Sequence, residues 1–194
     1  QYHSSRGKIQ ELKRAVEEFG VACSFFRVNF ISTTELSRFI NHLPKLKIDS
    51  LINNAGGYVA QKHFTELTAE NLTDTFMLNT FAPILIATRL FIQMQKRKYG
   101  RIVNISSIAA KYGGGFAYSM HYGCAKRALE GLTKTLARQG APDNILVNTL
   151  RPGVIDTDFH KKTRKDITKR IGLIPLKKMG KAEDVARMVF YLGS

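Results

Sequence analysis

Short runs of β-branched and apolar residues alternate with longer segments of helical periodicity along the 194-residue chain. This alternation is typical of parallel strands joined by crossover helices. The short runs predict four strands, each apolar enough to be buried on both faces, at residues 21–28, 48–53, 101–106 and 145–150. The longer segments predict helices at residues 34–42, 71–98, 118–139 and 182–192. The sequence therefore predicts an α/β fold with a doubly wound parallel sheet.

No feature of the sequence marks an internal domain boundary. There is no Pro/Gly/Ser-rich linker or repeat, and 194 residues of 44% hydrophobic composition suffice for one core. We therefore expect residues 1–194 to form one domain. A sheet of this kind normally opens with a strand and a glycine-rich phosphate-binding turn, and neither precedes the first helix. Because no strand follows the last helix either, we expect the domain to be incomplete at both ends.

The formal net charge of +15 has three possible causes. They are affinity for nucleic acid, attraction to acidic ligands or lipids, and a generally basic proteome. The basic residues are spread through nearly every predicted helix, and the one dense run, from His160 to Arg170, lacks the interleaved aromatic residues of single-strand binders. Nucleic-acid binding therefore rests on charge alone, and we expect no nucleic-acid partner.

The cysteine count and the hydropathy pattern indicate the cellular setting. Cys23 and Cys124 are too few for a disulfide framework. We find no apolar run long enough for a bilayer span or a signal peptide. These observations predict a cytoplasmic, reducing environment and no membrane partner. Neither Cys124 nor His121 has partners at metal-ligand spacing, so we expect no metal site.

The densest charge in the sequence lies between His160 and Arg170. This run has one acid, Asp166, against six cations: Lys161, Lys162, Arg164, Lys165, Lys169 and Arg170. It fits a docking patch for anionic ligands, and it fits equally well a solvated helical face. The sequence leaves both interpretations open.

Tyr122 and Lys126 form the strongest local motif. Their spacing of four residues places the phenol and the ammonium on one face of the predicted helix. A nearby cation favours the phenolate, so we expect the pKa of Tyr122 to fall toward working pH. Without further motifs, a tyrosine and a lysine four residues apart occur often by chance.

Three further motifs occur in a fixed order around this pair. Asn53-Asn54-Ala55-Gly56 ends one predicted strand, and the strand from Arg101 ends in Ser106-Ser107. Arg151-Pro152-Gly153-Val154-Ile155-Asp156-Thr157 follows another. In order and spacing the four motifs resemble those of the short-chain dehydrogenase/reductase family, especially its 3-oxoacyl-carrier-protein reductases. The resemblance covers nearly the whole chain and implies a Rossmann-like, single-domain fold.

The resemblance implies roles for four catalytic residues. Tyr122 would exchange a proton with the substrate carbonyl or alcohol, and Lys126 would lower its pKa and bind the nicotinamide ribose. Ser107 would orient the substrate oxygen, whereas Ser106 is better read as a simple strand-end hydroxyl. Asn79 occupies the place of a helix asparagine that holds a water in a proton relay; a satisfied buried amide is the alternative.

The resemblance also implies a cofactor site. Its residues, besides Tyr122 and Lys126, would be Asn29 near adenine, Asn54, Ala55 and Gly56 under the adenosine ribose, and Pro152, Gly153, Ile155 and Thr157 against the nicotinamide. His3 would lie in the segment that reads the ribose. Because hydroxyls and Arg6 follow His3 where an acid would select NAD, we expect NADP, with NAD as the alternative.

These motifs predict an oxidoreductase that moves a hydride between NADP(H) or NAD(H) and a ketone or secondary alcohol. The substrate would be a small molecule, with anionic or carrier-bound compounds favoured by the basic run. A catalytically silent fragment or scaffold of the same fold is the competing hypothesis. The resemblance further implies a homo-oligomer, a tetramer or dimer, because it places the helices at 71–98 and 118–139 at a two-fold interface. Phe76, Phe81, Leu85 and Phe91 on the first of these helices are apolar beyond one sheet-facing stripe.

Overall fold

Three parallel strands form the sheet of the computed structural model, which describes residues 6–113, 117–161 and 166–194. The strands are β1 (Ser50–Asn53), β2 (Gly100–Ile105) and β3 (Ile145–Leu150), in the spatial order β1-β2-β3. Ser50 is opposite Arg101, and Gly100 is opposite Ile145. The parallel pairing confirms the prediction of an α/β fold with crossover helices.

Helices connect and flank these strands. In chain order they are α1 (Arg6–Glu17), α2 (Thr33–His42), α3 (Ala69–Phe76), α4 (Ala82–Arg97), α5 (Ala109–Tyr112), α6 (Met120–Gly140), α7 (Asp158–Lys161), α8 (Ile167–Leu173) and α9 (Ala182–Gly193). A π-helical turn, Met77–Phe81, joins α3 to α4. Short 3₁₀ turns lie at Leu43–Lys45, Phe64–Glu66 and Ala141–Asp143. All four predicted helices are therefore present, the longest divided by the π turn.

The predicted strand at residues 21–28 is wrong. Within that segment only Arg27 makes a bridge pairing, and the three-stranded sheet excludes it. A β-strand needs a ladder of hydrogen bonds to a neighbour, however apolar its sequence is. In the strand order 3-2-1-4-5-6 of a doubly wound sheet, a strand at this place pairs with the second strand, which the described residues do not contain.

The prediction that each strand is buried on both faces holds only for β2. Its residues Ile102 and Val103 are fully buried. β1 and β3 lie at the edges of the described sheet, where Ile52 is 39% exposed and Leu146 is 47% exposed. An edge strand has fewer neighbours to cover it, so an apolar sequence does not ensure burial.

The main core lies between the sheet and α2, α4 and α6. Leu90 and Met94 of α4 pack with Ile102 of β2 and Ile145 of β3. Gly100 allows α4 to approach, because a Cβ there would lie within 2.4 Å of the Met94 sulfur. This packing holds α4 and α6 against the sheet.

The continuous helical run from Ala69 to Arg97 differs from prediction in two respects. Its length and apolar composition would allow it to cross a membrane, contrary to the sequence interpretation, but half of its apolar window is buried within the fold, as in a core helix. Phe91 belongs to the core, whereas Phe81 and Leu85 are exposed. The predicted oligomer interface on this helix therefore retains Phe81 and Leu85 but not Phe91.

Candidate active site

The carboxyl ends of the three strands open into one cavity of about 960 Å³. Asn54 follows β1, Ser107 follows β2 and Pro152 follows β3, and all three residues line it. Parallel strands bring residues at their carboxyl ends to the same edge of the sheet, where open α/β folds bind ligands. The α6 residues Tyr122 and Lys126 form the adjoining wall.

Tyr122 and Lys126 lie one turn apart on α6, as their spacing predicts. Both are buried, with 6% and 3% of their surfaces exposed. The Lys126 Nζ donates a hydrogen bond to the Ile105 carbonyl oxygen at 2.8 Å and lies 5.9 Å from the centre of the Tyr122 ring. The ammonium therefore lies behind the phenol, held by the end of β2.

The expected fall in the pKa of Tyr122 is not seen. Burial raises the pKa of Tyr122 to about 12, Tyr58 adds to the rise, and a hydrogen bond with the Ser107 side chain opposes it. Burial also lowers the pKa of Lys126 to about 8, because a desolvated ammonium is unfavourable. In this arrangement burial outweighs the attraction between the two groups, and Tyr122 is held in its neutral, proton-donating form.

The two serines after β2 have different partners. The Ser107 hydroxyl accepts from the Ala109 backbone N–H at 3.2 Å, and the Ser107 side chain lies close enough to Tyr122 to lower its pKa. The Ser106 hydroxyl instead donates to Glu130 Oε1 at 2.7 Å. Ser106 is therefore a buried structural contact rather than the simple strand-end hydroxyl that was predicted, and the role of Ser107 stays a prediction.

Asn79 lies fully buried in the π turn, with its amide bonded to backbone groups. The Asn79 side chain accepts from the Gly57 N–H at 3.0 Å and donates to the Gly57 carbonyl at 2.9 Å and the Thr75 carbonyl at 2.9 Å. A Cβ on Gly56 would lie 2.8 Å from Asn79 Oδ1 and 2.9 Å from Lys126 Nζ. The asparagine, the lysine and the Gly56 turn therefore converge on one point, and Gly56 cannot carry a side chain there.

Most residues predicted to bind cofactor line this cavity. They are Asn54, Gly56, Tyr122, Lys126, Pro152, Gly153, Ile155 and Thr157. A Cβ on Gly153 would meet no atom within 4 Å, so the backbone there faces open space. Ile155 pairs with Gly180 in an isolated parallel bridge, which anchors the segment after β3. The fold brings these eight of the eleven predicted residues together.

The remaining predicted cofactor residues lie elsewhere. Ala55 packs against the hydrophobic core. The Asn29 side chain accepts from the Ile31 N–H at 3.1 Å, and Asn29 is not among the residues that line the cavity. His3 lies outside the described residues.

A carboxylate beneath the site, Glu130, was not singled out from the sequence. It is 6% exposed and accepts from Ser106 and from both Arg151 Nε at 2.8 Å and Arg151 Nη2 at 2.7 Å. The bonds from Arg151 lower the pKa of Glu130 most, burial opposes them, and the Ser106 bond lowers it further. Glu130 therefore links α6 to the ends of β2 and β3. Its position one turn after Lys126 was the available signal.

A chain of buried amides and hydroxyls also crosses the sheet. The Asn53 side chain donates to Asn104 Oδ1 at 2.7 Å, and Asn104 donates to the Thr133 hydroxyl at 2.9 Å. This chain ties β1 and β2 to α6, so the strand ends and the catalytic helix are connected by polar bonds as well as by packing. An asparagine within an otherwise apolar strand, as at Asn104, is the sequence signal for such a contact.

Aromatic rings cover the substrate side of Tyr122. The Tyr58 ring lies 4.6 Å from the Tyr122 ring and 5.2 Å from the Phe159 ring, measured between centroids. Neither Tyr58 nor Phe159 was predicted as a site residue, because 64 and 37 residues separate them from Tyr122 and Tyr122 alone carried a motif.

His121 and Cys124, which flank Tyr122 in sequence, differ in burial. His121 is buried and its Nε2 lies 2.9 Å from the Ala60 carbonyl, whereas Cys124 is exposed. In the part of the chain that the structure describes, no three His, Cys, Asp or Glu side chains come together as a metal site would require.

A parallel sheet with a buried tyrosine–lysine pair at its carboxyl edge defines a doubly wound α/β protein of the nucleotide-binding class. The family model of the short chain dehydrogenases matches residues 2–168. The chain belongs to the short-chain dehydrogenase family of NAD(P)-dependent oxidoreductases, as the sequence motifs predicted.

Curated relatives agree with this assignment. The chain is 32% identical to the 3-oxoacyl-acyl-carrier-protein reductase FabG of Aquifex aeolicus over 97% of this chain and 78% of the relative. It is 35% identical to the acetoacetyl-CoA reductase of Cupriavidus necator over 76% of this chain and 59% of the relative. Across the similar curated proteins the chain spans between 53% and 78% of their length.

Solved structures have the same fold. ElxO with NADP bound superimposes with a TM-score of 0.81 at 28% identity, covering 100% of this chain and 78% of that chain. A short chain dehydrogenase/reductase family protein gives a TM-score of 0.79 at 26% identity, covering 95% of this chain and 75% of that chain. The predicted Rossmann-like fold is confirmed.

Proposed function

We propose that the full-length protein is an oxidoreductase that transfers a hydride between NADP(H) and a ketone or secondary alcohol, with Tyr122 as acid and base. The observation that carries the proposal is that Tyr122, Ser107 and Lys126 line one cavity, with the Ser107 side chain close enough to lower the pKa of Tyr122 and the Lys126 ammonium behind the ring. Few other reactions would use a neutral phenol, a hydroxyl and a buried cation at one point.

The cavity fits the nicotinamide end of a dinucleotide. About 960 Å³ is within the range of cofactor pockets. Thr157, Asn54 and Lys126 supply polar groups on its walls, and Gly153 leaves the backbone accessible. Lys126 and Tyr122 would hold the ribose, and the segment 152–157 would lie against the nicotinamide, which supplies or accepts the hydride when bound.

The protein residues would divide the remaining work. Ser107 would orient the substrate oxygen, Tyr122 would donate its proton to that oxygen during reduction, and Lys126 would stabilise the resulting phenolate. Asn79 would hold the Gly56 turn and Lys126 in register for return of the proton. The aromatic wall formed by Tyr58 and Phe159 would exclude water from this exchange.

Both the cofactor and the substrate class are proposed from relatives. ElxO, whose structure contains NADP, supports NADP as the preferred cofactor, with NAD as the alternative. The 3-oxoacyl-carrier-protein and acetoacetyl-CoA reductases support 3-oxoacyl compounds as substrates. A cytoplasmic location and a homodimer or homotetramer belong to the same proposal, and light scattering of the full-length protein tests the assembly.

Replacing Tyr122 by Phe tests the function. NADPH oxidation by the full-length protein is followed by nicotinamide absorbance with acetoacetyl-CoA as substrate. We expect Tyr122→Phe to reduce kcat by about a thousandfold or more, while NADPH binding and thermal stability stay close to wild type. If the wild-type protein binds NADPH but turns over no carbonyl compound, the silent scaffold replaces the enzyme.

A further inference from the structure

Arg170 of α8 is a cation that lines the active-site cavity together with Tyr58 and Tyr122. Among the described residues, its buried Nη1 atom has no hydrogen-bond partner. A buried donor without an acceptor is unfavourable, and a charged one more so. Arg170 is therefore suited to receive an oxyanion from a ligand in the cavity.

The neighbouring lysine on the same helix has a different environment. The Lys169 side chain is 85% exposed and lies 4.0 Å from Asp166 Oδ2. Asp166 also caps α8 by accepting from the Lys169 backbone N–H at 3.1 Å. The only acid in the run from His160 to Arg170 is thus occupied by the helix start and by Lys169, and Arg170 is left directed at the cavity.

Asp158, His160 and Tyr58 line the cavity together with Arg170. Asp158 takes part in an interaction, so it is not a free acid. His160 packs edge-on against Phe159 at 5.4 Å. The phenol of Tyr58 is close enough to Arg170 for the guanidinium charge to lower its pKa, although burial raises that pKa overall. Arg170 therefore acts electrostatically on Tyr58, whose ring contacts that of Tyr122.

We propose that Arg170 determines substrate specificity by binding the oxyanion, a carboxylate or a phosphate, of a 3-oxo substrate whose carbonyl lies at Tyr122. Tyr58 and Phe159 cover the acyl chain between these two points. The proposal rests on the proposed function and sharpens it, because it names the charge that the substrate must carry and the side chain that reads it.

Binding without turnover tests this assignment. The Tyr122→Phe protein with NADP is titrated calorimetrically with acetoacetate, with its neutral methyl ester and with acetoacetyl-CoA. We expect Arg170→Gln in this background to weaken binding of acetoacetate or acetoacetyl-CoA at least about tenfold and to leave the methyl ester unchanged. Arg170→Lys should retain part of the affinity, and Lys169→Gln should have no effect.

The outcomes separate the alternatives. If the binding of acetoacetate depends on Arg170, the oxyanion that Arg170 binds is a carboxylate. If only the binding of acetoacetyl-CoA depends on Arg170, the oxyanion is a phosphate. The role of Arg170 would be overturned if Arg170→Gln weakened the binding of acetoacetate and of its methyl ester equally. It would also be overturned if Arg170→Gln and Lys169→Gln weakened the binding of the anions equally. Wild-type turnover without any dependence on Arg170 contradicts this inference only. Binding that depends on Arg170 without wild-type turnover contradicts only the proposed oxidoreductase activity.

Discussion

The floor and the mouth of the cavity are built in different ways. We define the floor as Lys126 at the inner wall together with Asn79 and Glu130 behind it, each buried and bonded to a strand end or a turn. The mouth consists of short helices, α7 and α8, on which no residue is fully buried among those described. In the proposed function, chemistry would depend on groups whose positions are fixed by the core, and specificity on short surface helices.

The largest expected effect is at the floor. Lys126→Ala removes the charge behind Tyr122 and a predicted ribose contact, so kcat/KM should fall by at least about a hundredfold. Lys134 lies on the same helix but is exposed. The kcat/KM of Lys134→Ala should therefore stay within about twofold of the wild-type value, which is about the scatter of such assays. Steady-state kinetics of both variants provides the measurement. Equal losses at the two lysines would remove the distinction between floor and surface.

The pH dependence of the reaction sharpens the same point. Burial lowers the pKa of Lys126 to about 8, so its charge is lost as the pH rises through that value. If the ammonium assists proton donation by Tyr122, kcat for reduction should fall about tenfold per pH unit above that point. A flat profile to about pH 10 would show that the charge is not required.

Glu130 tests the floor through stability. Glu130→Ala leaves Ser106 and Arg151 without their acceptor, and the free energy of unfolding should fall by about 2 kcal/mol. Glu130→Gln should lower the free energy of unfolding by less than Glu130→Ala does. Because the folded pKa of Glu130 is depressed, its contribution is present above its ordinary value of 4.5 and is lost as the pH falls through the folded value. Urea denaturation should therefore show wild type and Glu130→Gln converging in acid.

A smaller effect is a gain in stability at the floor. The lowered pKa of Lys126 corresponds to a cost of about 3 kcal/mol for keeping the ammonium buried. Lys126→Met removes that cost but also the bond to Ile105, so we expect a net gain of about 1–2 kcal/mol at neutral pH. Between about pH 8 and 10.5 the unfolded state binds more protons, so wild type gains stability and the difference shrinks. Urea denaturation of wild type, Lys126→Met and the control Lys134→Met, at neutral pH and at the upper end of this pH range, measures the difference in the free energy of unfolding.

The smallest effect is expected at the mouth. Reversing the charges of Lys161, Lys162 and Lys165 should raise KM for an anionic substrate a few-fold and weaken its salt dependence. Lys162 and Lys165 lie outside the described residues. If KM and its salt dependence stay unchanged, the run is a solvated helical face.

Local patterns predicted the elements that are determined locally. Residues 145–150 were predicted to the residue because an apolar run is bounded by Asn144, with φ of 54°, and by Pro152. The pairing of Tyr122 with Lys126 follows from helix geometry in the same way. Residues 21–28 failed because a strand depends on a neighbour that its own sequence does not encode.

The contacts that the sequence did not reveal are those between distant segments. Glu130 meets Ser106 and Arg151 across more than 20 residues in either direction. Tyr58 contacts Tyr122, and Arg170 lines the same cavity, only because the chain folds these distant segments together. The pKa of Tyr122 was mispredicted for the same reason, since the burial that raises it is a property of the assembled site.

The π turn at Met77–Phe81 sets the rotation about the helix axis between Asn79 and the core-packed α4. A π turn holds one residue more than an α turn, so it advances everything beyond it by about 100° around the helix axis. Deleting a single residue there would restore a regular α-helix and rotate Asn79 relative to the core-packed α4. A substitution in this stretch changes one side chain, whereas a change of length rotates every residue on one side of the turn relative to the other.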